Sequence, residues 1–149
     1  MLKMYTIAGL FCLACIVLSL EIVIPASYAL SITPRPPTFA DVNGNKITTT
    51  EAGRQIMVSQ TFRNEVERDM PFVSLIEIRD ESGVTVLLAW QIGTMPASNY
   101  ETGVYNNNTM SISWLPEKAS TYEARTFAIS DFENTQVLSH VEAAQFVVT

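Results

Sequence analysis

From Ile56 onward apolar side chains recur at every second position, and turn-forming residues cut that alternation about every ten residues. A period of two belongs to strands with one face toward a core and one toward water, and no helical period competes with it. After Gly53, the stretch Arg54 to Arg63 sets Ile56, Val58 and Phe62 on one face and Met57, Ser59 and Thr61 on the other. Pro71 opens Phe72 to Arg79, where Phe72, Ile76 and Ile78 oppose Glu77 and Arg79. Asp80-Glu81-Ser82-Gly83 is a hairpin loop by its turn chemistry, and Val84 to Ile92 follows with Val86, Leu88 and Trp90 sharing a face. Met110, Ile112 and Trp114 alternate with Ser111 and Ser113 until Pro116 stops the strand, and Tyr122 to Ile129 and Val141 to Val148 supply the last two.

The segments between are polar. Thr38 to Val42 reads as a first strand turned by Asn43-Gly44-Asn45, with Lys46 to Thr50 continuing the pairing. Asn64 to Met70 is a charged, solvated connection, Gly93 to Asn107 a mobile crossover, and Ser130 to Ser139 an exposed loop. About seven short strands imply an all-β fold, an antiparallel two-sheet immunoglobulin-like β-sandwich with Greek-key connections.

The first 29 residues stand apart as an apolar helix by composition. Lys3 is a minimal positive start, Met4 to Leu20 is apolar apart from Thr6 and Ser19, and Ser27-Tyr28-Ala29 offers small residues for cleavage before Leu30. The rival reading is an uncleaved anchor, since Met4 to Ile24 is long enough to cross a bilayer with Glu21 near an interface. Residues 1–29 are thus a signal peptide or membrane anchor. Pro34, Pro36 and Pro37 make residues 30–37 an extended leader, and residues 38–149 are the sandwich domain. Both cysteines, Cys12 and Cys15, lie in the apolar segment, where they read as small hydrophobes rather than as a lipidation site. The remaining chain has no disulfide to form and, at about 120 residues, buries enough surface to fold without one.

Lys3 and Glu21 cancel, so the folded part keeps the chain's formal net charge of −6. Nucleic acid is excluded as a partner because no Lys and Arg cluster faces a polyanion. His140 is the only histidine, too few ligands for copper, zinc or haem, and no cofactor is expected. No nucleophile elbow accompanies His140, so it reads as an exposed residue with no catalytic role. Glu65, Glu67 and Asp69 resemble a Ca²⁺ ligand run, but Arg68 interrupts them and the rest of a binding loop is missing, which favours a solvated loop. Asp80-Glu81 reads as turn chemistry. Phe72, Trp90, Trp114 and Tyr122 fall on apolar faces and are assigned to the core rather than to a sugar-stacking platform. Tyr122, early in its strand, is placed as a corner residue whose hydroxyl bonds back to nearby backbone. Asn107-Asn108-Thr109 is a sequon, making Asn107 a possible glycosylation site.

Several ordered landmarks carry a family resemblance. Pro71-Phe72-Val73 through Arg79-Asp80, Gly83-Val84-Thr85-Val86, Trp90-Gln91-Ile92-Gly93-Thr94, Ser113-Trp114-Leu115-Pro116, Thr121-Tyr122 leading to Phe127, and Val137-Leu138-Ser139 resemble the small secreted immunoglobulin/fibronectin-III-like β-sandwich proteins of ammonia-oxidising archaea. The resemblance spans Gly53 to Val148 and implies an exported β-domain, with no catalytic residues to carry over. Ser120 departs from the glycine expected before the tyrosine, and Ser130-Asp131 replace an aromatic and acidic pair. The reading that follows is an exported, non-catalytic structural or protein-interaction module at the cell envelope or surface, with envelope proteins as partners. Membrane contact is expected only through the N-terminal segment if it is uncleaved. The alternative is an extracellular ligand-binding module for carbohydrate or Ca²⁺.

Overall fold

The computed structural model describes residues 30–149, and these form nine strands and no helix. The signal peptide or anchor expected over residues 1–29, with its apolar helix, lies outside the described residues. In chain order the strands are β1 (Ile32–Pro34), β2 (Thr38–Ala40), β3 (Thr49–Thr50), β4 (Ile56–Asn64), β5 (Met70–Arg79), β6 (Thr85–Met95), β7 (Asn107–Trp114), β8 (Ser120–Ile129) and β9 (Glu142–Val148). A four-stranded sheet has β4 at its centre, with β1 and β2 in tandem along one edge and β7 along the other. The second sheet has five strands in the order β3-β9-β8-β5-β6. Every pairing is antiparallel except that of β3 with β9. The fold is an immunoglobulin-like β-sandwich.

Two strands exceed the seven that the alternation predicts: β1, in the stretch read as a leader, and β3, in the stretch read as continuing the first strand's pairing. Residues 30–37 are extended, as their prolines require, but they are part of the domain rather than a leader before it. Ile32 is fully buried and pairs with Asn64, and the amide of Ile32 donates to Leu138 O at 3.0 Å. Lys46 closes the hairpin onto Ala40, after which the chain crosses over and Thr49–Thr50 joins the other sheet as β3.

The two hairpin turns are built alike. Asp41 and Asp80 each accept two backbone amides on Oδ1, and Gly44 and Gly83, three residues later, adopt φ of 83° and 78°, open to glycine without strain.

Between the sheets the core divides into two clusters. One gathers Phe39, Ile56, Val58, Ile76, Ile78, Trp114 and Phe146, with Phe39 and Phe146 stacked at 4.5 Å; the other gathers Ile32, Phe62, Phe72, Met95 and Leu138. Gln60, Ser74 and Thr126 are buried at the level between them, each flanked two residues either way by members of the two clusters. The Ser74 hydroxyl turns to Met110 Sδ at 3.3 Å and the Thr126 hydroxyl to Glu142 O at 3.4 Å. A buried polar group without such partners costs about 1–3 kcal/mol.

Candidate functional site

The β5–β6 hairpin decides which face of β6 meets water. Its register pairs Phe72 with Gly93, Ile76 with Ala89 and Ile78 with Leu87, so the inward residues of β6 are Gly93, Ala89 and Leu87. Phe72 packs across Gly93, with Cε1 3.6 Å from where a β-carbon would stand. The same register pairs Leu75 with Trp90 and Val73 with Ile92 on the outer face. Trp90 is therefore not a core residue: it is 55 % exposed, Ile92 is 69 % exposed, and Val86 and Leu88 share their side. The three other aromatics assigned to the core, Phe72, Trp114 and Tyr122, are buried.

This outer face has a small core of its own. Val73, Leu75 and Ile129 are buried, with Phe127 packed against them. Trp90 meets Phe132, from the loop after β8, edge to face at 6.0 Å. Toward the hairpin the face turns ionic. Glu77 accepts from the Thr85 hydroxyl at 2.6 Å and pairs with Arg79 at 2.9 Å and Arg125 at 3.4 Å. Burial pushes the Glu77 carboxyl up, but the Thr85 and Arg79 hydrogen bonds and the two guanidinium charges prevail and hold it below the ordinary glutamate range.

β6 is also an edge. It pairs only with β5 among the described residues, and its eleven residues contain neither charge nor proline. Edge strands ordinarily carry such residues to block pairing with another chain.

An open cleft of about 460 Å³ continues from this edge, lined by Val86, Leu87, Trp114, Pro116, Lys118 and Tyr122. Its floor is the Trp114–Tyr122 pair, edge to face at 4.8 Å. The Tyr122 hydroxyl donates to Lys118 O at 2.9 Å, the corner bond read from the sequence. Burial and the nearby carboxylates of Asp80, Glu117 and Glu81 raise its phenol above the usual tyrosine value.

The remaining candidate residues are dispersed. Glu65 pairs with Arg63 at 2.6 Å, Glu67 accepts the Tyr100 amide at 3.0 Å and Asp69 accepts the Ala97 amide at 2.9 Å, so each carboxylate has a separate task. Two of these bonds pin the Gly93 to Asn107 crossover. Asn64 pins it too, donating to Arg68 O and Pro96 O, and its own carbonyl accepts the Ser98 hydroxyl. Among the described residues no three His, Cys, Asp or Glu side chains gather as a metal would need. His140 Nε2 lies 2.8 Å from Glu142 Oε1, and neighbouring Ser139 is engaged with backbone: it accepts the Ala128 amide and donates to the carbonyl of His140, away from the ring. Asn107 is exposed at the start of β7, opposite Arg63, whose guanidinium lies 4.6 Å over the Tyr105 ring.

Sequence reasoning missed the outer face because both faces of β6 are apolar. The absence of any charge from Val84 to Tyr100 was the available signal.

No protein-family model and no curated protein matches the sequence. Solved structures do share the fold. The C-terminal domain of wzt aligns with a TM-score of 0.59 and 11 % identity over 78 % of this chain and 73 % of its own. A CARDB domain from Pyrococcus furiosus aligns at 0.52 and 12 % identity over 80 % and 93 %, and a structure of that domain is in complex with di-metal ions. A glycoside hydrolase family 2 β-glucuronidase aligns at 0.56 and 12 % identity over 77 % of this chain but only 12 % of its own. At these identities the likeness is one of architecture.

Proposed function

We propose that this protein is an exported, non-catalytic interaction module of the cell envelope that docks through the outer face of its five-stranded sheet around Trp90. The observation that carries this reading is the run Val86, Leu88, Trp90 and Ile92, solvent-exposed on an uncharged edge strand and continuous with Phe132. Aromatic side chains carry roughly 150–250 Å² each and aliphatic ones somewhat less, so five half-exposed residues offer about 500 Å² of apolar surface. The largest contiguous apolar patch on a monomeric domain is commonly about 300–600 Å² and is often a functional surface. Export is read from residues 1–29, and Asn107 is then a glycan acceptor at the sheet edge.

Cross-linking in the native envelope tests the docking reading. Wild-type chain recovers a neighbour, and Trp90→Arg loses it; equal recovery by both removes the reading. N-terminal sequencing of the native protein tests export with cleavage, for which the expected start is Leu30, and intact mass reports the glycan.

Carbohydrate binding is favoured over Ca²⁺ as a second reading, because the exposed Trp90 ring can stack on a sugar face. Soluble glycans then raise the melting temperature of wild type but not of Trp90→Ala.

A further inference from the structure

We infer that the partner on this edge is a second copy of the same chain, the two β6 strands pairing antiparallel about a two-fold axis at Trp90. The inference rests on the reading that this edge is the docking surface, and names its occupant. An open strand edge is completed by another extended backbone, because its outward amides and carbonyls need partners in a ladder. Trp90 is the midpoint of Thr85–Met95, so an axis there pairs all eleven residues of each strand.

That register is also self-complementary in chemistry. Trp90 faces its own counterpart, Leu88 faces Ile92, and Val86 faces Thr94, all on the outer face. On the inner face Ala89 meets Gln91 and Leu87 meets Gly93. A shift of one residue sets apolar side chains of one copy on the opposite face from those of the other, and is disfavoured for that reason. The two aromatic pairs then line up as Phe132, Trp90, Trp90 and Phe132 across the joined sheets.

Charge singles out β6 as the edge at which two copies meet least repulsion. Each copy carries a formal net charge of −6, so copies repel over most of their surface. β6 carries none of that charge, and an antiparallel register sends the acidic hairpin tips, Asp80 and Glu81, to opposite ends of the interface. Pairing at this edge completes a backbone ladder along eleven residues and sets the outer-face side chains of the two strands against one another across the axis. The long edge of the other sheet, β7, is uncharged too, but its outward residues are Asn107, Thr109, Ser111 and Ser113, which leave nothing apolar to meet a counterpart across an axis. A symmetric, self-complementary patch is what a two-fold dimer requires.

Cysteine cross-linking of the full chain in the expressing cell tests this, with Cys12→Ser and Cys15→Ser as background. Val86 and Thr94 are both exposed, and only the proposed register places one opposite the other across copies. Co-expressed Val86→Cys and Thr94→Cys chains are expected to give a disulfide-linked dimer. Either alone gives little, and Trp90→Arg lowers the yield roughly tenfold or more, as loss of a central anchor does. Monomer alone, or equal yield from Ser111→Cys on β7, overturns the inference. If the dimer fails while Trp90→Arg still releases a different envelope protein, self-pairing falls and the docking reading stands. If Trp90→Arg changes neither, both fall. A cooperative melting curve for Trp90→Arg, close to that of wild type, confirms that the exposed substitution leaves the fold intact.

Discussion

On the four-stranded sheet, the central outward positions of β4 and β7 are Ser59, Thr61, Thr109 and Ser111, between Met57 at one end and Arg63 at the other, and their hydroxyls meet across the strands at 2.8 and 2.9 Å. On the five-stranded sheet, the central outward positions of β5 and β6 are Val73, Leu75, Trp90 and Ile92, before the face turns ionic at Glu77. Both faces follow one period-two backbone, yet the first is finished and the second is not. Paired hydroxyls satisfy one another and remain wettable, so that surface needs no cover. Apolar side chains gain only by leaving water, and Trp90 and Ile92 have not left it.

The contrast breaks most easily at Leu75. It faces outward yet is buried beside Val73 and Ile129, so Leu75→Ala should cost about 2–4 kcal/mol, as buried leucine truncations do. Ser59→Ala on the opposite sheet should cost about 0.5 kcal/mol or less. Urea denaturation of the two variants measures both, and similar costs would mean that the outer cluster is not a true core. Tyr122→Phe comes next: loss of its bond to Lys118 O should lower stability by about 1 kcal/mol, and an unmoved denaturation midpoint would leave the corner bond without energetic weight. Trp90→Ser, in monomeric protein, should cost about 1 kcal/mol, less than Leu75→Ala despite removing the largest side chain of the strand, because the residue is 55 % exposed and only its contact with Phe132 and the strand beneath is lost. A large loss would show that Trp90 supports the fold rather than an interface.

The smallest effect concerns the ionic half of the same face. Because folding lowers the Glu77 pKa, its carboxylate contributes stability above the unfolded value, and that contribution fades as pH falls through the folded value. Glu77→Gln should therefore melt below wild type at neutral pH, with the gap closing in acid. A gap independent of pH would separate Glu77 from the Arg79 and Arg125 charges.

Much of the fold was legible because burial in a sandwich alternates. Ile56, Val58 and Phe62, then Phe72, Ile76 and Ile78, then Met110 and Trp114 all point inward as their spacing demands. The corner role of Tyr122 was legible as well, since a tyrosine just after a turn has backbone within reach. Gln60 was not: a glutamine among Val58 and Phe62 reads as an interruption, whereas it marks the level where two clusters meet. β1 was read as leader because of its prolines, and Lys46 to Thr50 was read as pairing with the first strand, whereas Thr49–Thr50 pairs with β9 in the other sheet.

The sequence by itself determined the strand period and the turn positions, because these depend on residue type and local spacing. Which side of β6 faces water was decided only by tertiary structure. Val86, Leu88 and Trp90 alternate with Leu87 and Ala89, and hydrophobicity alone favours the larger set inside. The register with β5 places the smaller set there, because Phe72 and Ile76 already fill the space opposite Gly93 and Ala89. Pairing across strands, not the composition of either strand, turned an apparent core tryptophan into a surface one.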